Sequence, residues 1–258
     1  MQITMVFNPP EYLSPSSLST FKQCPLRFKY TKIDGVREPD TEATVLGSFV
    51  HEVLEIIFSL APNERTIEAS KSIATSLWND GGWKTKVSAV IGSRDDLLRD
   101  FRWRSWWCLE NYFSLENPAE IIPSGIEDEV NDSVEGVKIK GFIDRWSETD
   151  SGIVISDYKT GKTPAPRYRA DKFTQLMIYA ILINKRLNKM PSTLELLYLK
   201  DGTRLTADVN QQSIDTVTNM IVTTNEEILK RCEAGKFEYK TSKLCDWCSF
   251  KRTCPAWN

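Results

Sequence analysis

The sequence predicts an α/β fold, a mixed central sheet flanked by helices, on three observations. Apolar residues recur at helical spacing through most of the chain up to about residue 115. From about residue 126 the pattern changes to short alternating strands separated by polar turns. A helical stretch at about 171–188 then precedes two more strands, the order expected when a crossover helix joins parallel neighbours.

With 258 residues, 41% hydrophobic and 26% charged, the chain can bury a substantial core without disulfides. A single domain over 1–258 is expected. No run approaches the roughly 18 apolar residues of a membrane span, and the opening lacks the order of a secretory signal, which predicts a cytoplasmic protein with no membrane partner. The formal net charge of −2 excludes a uniformly basic coat but leaves room for a basic groove beside acidic ligands. Six cysteines are few for a secreted disulfide scaffold of this length.

Taken in order, Ser14 as a cap and Pro15 in a first turn predict a helix over about 15–23, and Cys24-Pro25 should interrupt it. In "TVLGSFVHEVLEIIFSL", Val50, Val53, Leu54 and Ile57 form the stripe of a buried helix. Helical patterns follow at about 65–79 and 93–115, the latter holding Trp103, Trp106 and Trp107. Core packing is the simpler reading of these indoles, and stacking on nucleic-acid bases the alternative. Strands are expected at "GIEDEVNDSV", "VKIKGFIDRWSE" and "GIVISDYKT", with turns at Asp132-Ser133 and Asp150-Ser151-Gly152. Two more strands lie near 193–200 and 203–209, and a long helix covers about 211–233. Cys108 and Cys232 fall on helical segments and read as buried small residues.

The stretch "ISDYKTGK" carries the most pointed chemistry. If Thr149-Asp150-Ser151-Gly152 is the turn, Glu148 faces Ile153, and counting back along the ladder sets Asp144 opposite Asp157. Directly opposed residues have Cβ atoms about 4.5–5.5 Å apart, close enough for both carboxylates to grip one divalent ion. Lys159 projects from the same face as Asp157. Two aspartates suit Mg²⁺ or Mn²⁺, and an ammonium group beside them could orient a nucleophilic water and steady charge on a phosphodiester. A solvated ion pair is the simpler reading of D-x-K taken alone.

The order "GFID", "SDYKTGK", "QLMIYA" resembles the RecB-type branch of the PD-(D/E)XK nuclease superfamily, which includes AddB-type and CRISPR-associated nucleases. The resemblance implies a restriction-endonuclease-like core at about 121–210 and a helical insertion at about 62–120. It implies that Asp144, Asp157 and Lys159 form the catalytic core. His51, in "GSFVHEVLE", and the backbone carbonyl of Tyr158 would be further ligands to Mg²⁺ or Mn²⁺, and Gln175 and Tyr179 would hold the scissile phosphate or Lys159. Glu55, one turn after His51, could orient its second ring nitrogen or simply be a solvated charge. Lys162, Arg167, Arg169 and Lys172 lie in a loop suited to phosphate contact or simply to solvent.

"CDWCSFKRTCPAW" supplies Cys245, Cys248 and Cys254, and Cys24 offers a fourth thiol. This division resembles the iron-sulfur subset of RecB-type nucleases and implies a 4Fe-4S cluster in a region formed by Cys24 and 245–254, with a four-cysteine zinc site as the alternative. The expected activity is metal-dependent DNA hydrolysis at single-stranded or frayed ends. One rival is a subunit active only inside a helicase-nuclease or CRISPR adaptation complex. The other is a non-catalytic DNA-binding iron-sulfur protein. No G-x-x-x-x-G-K-[ST] motif is present, so a helicase or other DNA-processing partner would have to drive any unwinding.

Overall fold

The structure is a computed structural model that describes residues 6–257. Ser14 caps α1 (Pro15–Gln23) through a reciprocal pair of side-chain bonds with Ser17. Cys24, extended at φ −160° and ψ 107° ahead of Pro25, ends that helix and leads into α2 (Pro25–Phe28). The same reciprocal bonding, between Thr41 and Thr44, opens α3 (Glu42–Ser59), whose stripe of Val50, Val53, Leu54 and Ile57 is wholly buried. Three more helices follow: α4 (Ile67–Asn79), α5 (Trp83–Ile91) and α6 (Asp95–Leu115). The sequence reading lacks α5, a nine-residue helix with only Trp83 and Val87 buried, too brief for its periodicity to stand out. Gly82, at φ +77°, makes the break before it.

Five strands form one sheet in the order β1 (Gly125–Val134), β2 (Val137–Thr149), β3 (Gly152–Lys159), β4 (Thr193–Tyr198) and β5 (Thr203–Asp208). The sheet is mixed, since β2–β3 and β4–β5 run antiparallel and β3–β4 parallel. The crossover from β3 to β4 is made by α7 (Thr174–Leu187), which packs on both strands. A long helix, α8 (Gln211–Ala234), follows β5. The β2–β3 register pairs Glu148 with Ile153 and Arg145 with Ser156, as counted from the turn. The first turn is a correction: it falls at Glu135-Gly136, and Asp132-Ser133 lie inside β1. Both turn residues have positive φ, +47° and +82°, the geometry that closes a two-residue hairpin. The Asp132 carboxylate instead accepts a bond from the Ser133 amide at 2.6 Å, so its turn-like chemistry is satisfied within the strand.

Two compact units divide the chain. The first comprises the residues up to Pro39, Val130–Gly141 and Asn210 onward. In it Leu13 pairs with Ile139, and the rings of Phe21, Phe28 and Phe237 pack together with centroids 5.3 and 6.5 Å apart. The second comprises Asp40–Glu129 and Phe142–Val209. Its core joins Phe49, Val53, Trp78, Trp83, Phe101 and Tyr112 of the helices to Tyr158, Leu197 and Leu199 of the sheet end. Cys108 and Cys232 are buried. Among the described residues no helix is long and apolar enough to cross a membrane.

Candidate active site

Three segments far apart in sequence meet at the end of the sheet in the second unit. Helix α3 brings His51, whose Nε2 donates to the carbonyl of Tyr158 at 2.9 Å and whose Nδ1 lies 3.6 Å from Asp144 Oδ2. Gly47, one turn earlier, permits this approach: a Cβ there would stand only 3.4 Å from Thr160 Oγ1, just beyond β3. Asp144, on β2, accepts the Tyr158 amide at 2.7 Å. Tyr158 thus offers its amide to one predicted ligand and its carbonyl to another.

Among the described residues, the side chains whose donor atoms lie within 4.8 Å of one another, close enough to share an ion, are His51, Glu127 and Asp144. The sequence reading misses Glu127, on β1, whose carboxylate is 3.9 Å from His51 Nδ1. Its only sequence-level sign is the acid run Glu127-Asp128-Glu129 inside a strand. Its backbone has φ +43°, a conformation that non-glycine residues rarely take and that turns the side chain out of simple strand alternation. Of the two readings of Glu55, its exposure agrees with the solvated charge; it lines, with His51 and Glu127, an open cleft of about 740 Å3. The Nδ1 that Glu55 would have oriented on the other reading faces Glu127 and Asp144.

Asp157 is almost fully buried, and its Oδ2 lies 2.6 Å from Lys159 Nζ. Tyr179, buried on α7, accepts a bond from Gln175 Nε2 at 3.1 Å, and its hydroxyl senses the charges of both Asp157 and Asp144. Burial chiefly, with those two carboxylates, pushes the Tyr179 phenol up to about 12. Of the loop cations, Lys162, Arg167 and Lys172 are exposed, and Arg169 donates to the Pro164 carbonyl at 3.3 Å.

The electrostatics describe a pocket of acids short of positive charge. Burial first, and the nearby Asp157 second, raise Asp144 to about 7. Burial works against the His51 imidazolium, but Glu127, Asp144 and Asp157 outweigh it and raise the imidazole to about 9. Burial likewise opposes the Lys159 ammonium, and Asp157 outweighs it, so that group is raised as well. An imidazole nitrogen and two carboxylates form a donor set that fits Mg²⁺ or Mn²⁺.

In the first unit, Cys24, Cys245, Cys248 and Cys254 are half-buried, none of them in a disulfide, and line one pocket. No three of them bring their sulfurs within 4.8 Å of one another, whereas the sulfurs around a tetrahedral zinc ion stand about 3.8 Å apart. Arg27 beside them pairs with Glu38 at 2.9 Å, and Ser249 Oγ donates to the same carboxylate at 2.8 Å.

Over residues 12–255 the sequence matches the PD-(D/E)XK nuclease superfamily. The Gene 69 protein of Mycobacterium phage L5 is 27% identical over an alignment that covers 94% of this chain and 95% of that protein. In fold, the chain is similar to a crystal structure described as that of a candidate exonuclease from Eubacterium rectale. The TM-score is 0.54 at 15% identity, covering 92% of this chain and 87% of the other.

Proposed function

The chain belongs to the PD-(D/E)XK nuclease superfamily, and on that premise we propose that it is a metal-dependent deoxyribonuclease of the RecB-type branch. It hydrolyses phosphodiester bonds at single-stranded or frayed DNA ends, the form of activity that the sequence resemblance implies. The observation that carries this reading is the convergence of His51, Glu127 and Asp144 donor atoms within 4.8 Å, beside the Asp157–Lys159 pair.

His51, Glu127 and Asp144 would hold Mg²⁺ or Mn²⁺, with the Tyr158 carbonyl and Asp157 adjacent. When bound, such a cation makes water acidic enough to attack at neutral pH and neutralises charge on the phosphoryl oxygens. Asp157 anchors the Lys159 ammonium, whose remaining N–H bonds can orient the attacking water and meet the negative charge that builds on phosphorus. Tyr179, kept protonated by burial and fixed by Gln175, can donate its hydroxyl to a phosphate oxygen. The cleft before this group is lined by Glu52 and Glu55 as well as His51 and Glu127, so it repels a bare phosphate until cations are present.

A 4Fe-4S cluster on Cys24, Cys245, Cys248 and Cys254 completes the reading, in a reducing, cytoplasmic setting. Its support is that the four thiols, none of them in a disulfide, line one pocket. Each thiolate of such a cluster would bind a different iron. The cluster's role is to close the chain between Cys24 and Cys245.

On end-labelled DNA with Mg²⁺ or Mn²⁺, the purified protein should release nucleotides from strand ends. Asp157→Ala and Lys159→Ala should each slow this by about 100-fold or more, with the visible absorption of the cluster unchanged. Undiminished cleavage by either variant overturns the assignment.

A further inference from the structure

Helices α4 and α6 frame a second pocket, of about 260 Å3, with Phe49 of α3 at one wall. Phe49 is two residues from His51, about 200° around the helix axis, so the pocket opens on the far side of α3 from the metal centre. The scissile phosphate therefore has no place in it. Its lining combines the indoles of Trp78, Trp103 and Trp106 with Lys71, Arg99 and Arg102, and includes no carboxylate.

Two acids near these cations, Asp95 and Asp96, lie outside the pocket: Asp95 lines an adjoining cavity with Arg99 and Arg102, and Asp96 feels the charge of Arg99. Lys71 Nζ lies 5.9 Å from the centroid of Trp106 and the Arg102 guanidinium 5.7 Å from that of Trp78; among the described residues none of the three cations forms an ion pair. Trp106 packs half-buried against the core, the simpler expectation for such a cluster, but Trp103 and Trp107 depart from it. Trp103 is 60% exposed and Trp107 43%. Their rings stack at 5.7 Å with 17° between the planes, and Trp107 is anchored by its Nε1, which donates to the Lys200 carbonyl at 3.1 Å. Trp103 therefore rests on a fixed ring, and it also lines the pocket.

Flat aromatic faces beside unpaired cations match a strand whose bases are unstacked and whose phosphates run alongside. A duplex keeps its base faces covered. An acidic peptide would use the cations and leave the indoles idle. We infer that this pocket binds single-stranded DNA away from the point of cleavage, with bases stacked on Trp103 and Trp106 and phosphates held by Lys71, Arg99 and Arg102. The identity of the strand as DNA rests on the nuclease reading; the stacking and charge do not.

The test is fluorescence anisotropy of a labelled oligothymidylate with the full-length protein and no added divalent metal, so that nothing is cut. Trp103→Ala should weaken binding by about tenfold, and Trp103→Phe should restore most of it. The double variant Arg99→Ala/Arg102→Ala should lower the slope of log affinity against log salt by about 1.4. Hydrolysis of bis(p-nitrophenyl) phosphate, too small to reach this pocket from the metal centre, should stay at the wild-type rate in every variant. Wild-type affinity in the Trp103→Ala protein overturns the inference, as does tighter binding of duplex DNA, or displacement of the oligonucleotide by polyglutamate at equal concentration. If the wild-type protein hydrolyses neither DNA nor the small diester while Trp103→Ala still weakens oligonucleotide binding, the nuclease reading falls and this pocket stands.

Discussion

Gathering carboxylates and an imidazole at one half-buried point raises both His51 and Asp144. His51 is raised from 6.5 to about 9, so its contribution to stability is complete below about pH 6.5 and lost as pH rises through 9. Asp144 is raised from 3.8 to about 7: the neutral acid is the form the fold favours, and its contribution is lost as pH rises through 7. Both slopes have the same sign. The metal-free protein should therefore melt at lower temperature at pH 9 than at pH 6, and Mn²⁺ should flatten that decline by replacing the departing protons. A metal-free melting temperature that climbs over this range would contradict the arrangement. Glu127 makes a second case. At φ +43° its backbone carries a penalty of about 1 kcal/mol that glycine would not. Glu127→Gly should leave the metal-free protein at least as stable, yet weaken Mn²⁺ binding about tenfold by titration calorimetry, whereas Glu127→Gln should weaken binding with no such relief. Sequence parity could not find this residue, because a left-handed step in a strand changes which side the next residues face.

At the scale of elements, the register that sets Asp144 across from Asp157 is pinned by its neighbour pointing the other way. Arg145 is buried and makes paired bonds to Glu116, the residue that ends α6, at 2.7 and 2.8 Å. It also donates to Ser156 across the ladder at 3.0 Å, and Ser156 in turn donates to Glu195 of β4 at 3.0 Å. The side chains of the Arg145–Glu116 pair are only 4% and 6% exposed. Removing one partner strands a charge in the interior, so Glu116→Ala should cost about 3–5 kcal/mol in urea unfolding, and a joint apolar replacement of both much less. The turn at 149–152, which sets this register, was readable from polar residues alone. The earlier hairpin was not, because Glu135 is a poor announcement of a positive-φ turn while Asp132-Ser133 mimics one.

Across the whole molecule, Cys24 and the thiols at 245–254 belong to one compact unit although most of the chain lies between them. Joining such distant residues restricts the unfolded chain far more than a local bridge would. Cys24→Ser should lose iron, sulfide and visible absorption on purification, and the segment 243–257, built of short turns rather than long helices, should become more open to proteolysis. A Cys24→Ser protein with full iron content would remove the cluster from the account. Zinc in place of iron, found by elemental analysis, would replace it with a mononuclear site.

What the sequence determined by itself is local: the cap at Ser14, the break at Cys24-Pro25, the buried stripe of α3, the register counted from Gly152, and the two-residue step from Asp157 to Lys159. Each of these depends on a few neighbouring residues or a fixed helical or strand period. Only the tertiary structure decided that Glu127 joins His51 and Asp144, that Glu55 does not orient the imidazole, and that Trp103 and Trp107 face solvent. Those outcomes turn on which surfaces pack and which charges share a buried space. Burial and field are properties of the assembled fold, and no periodicity carries them.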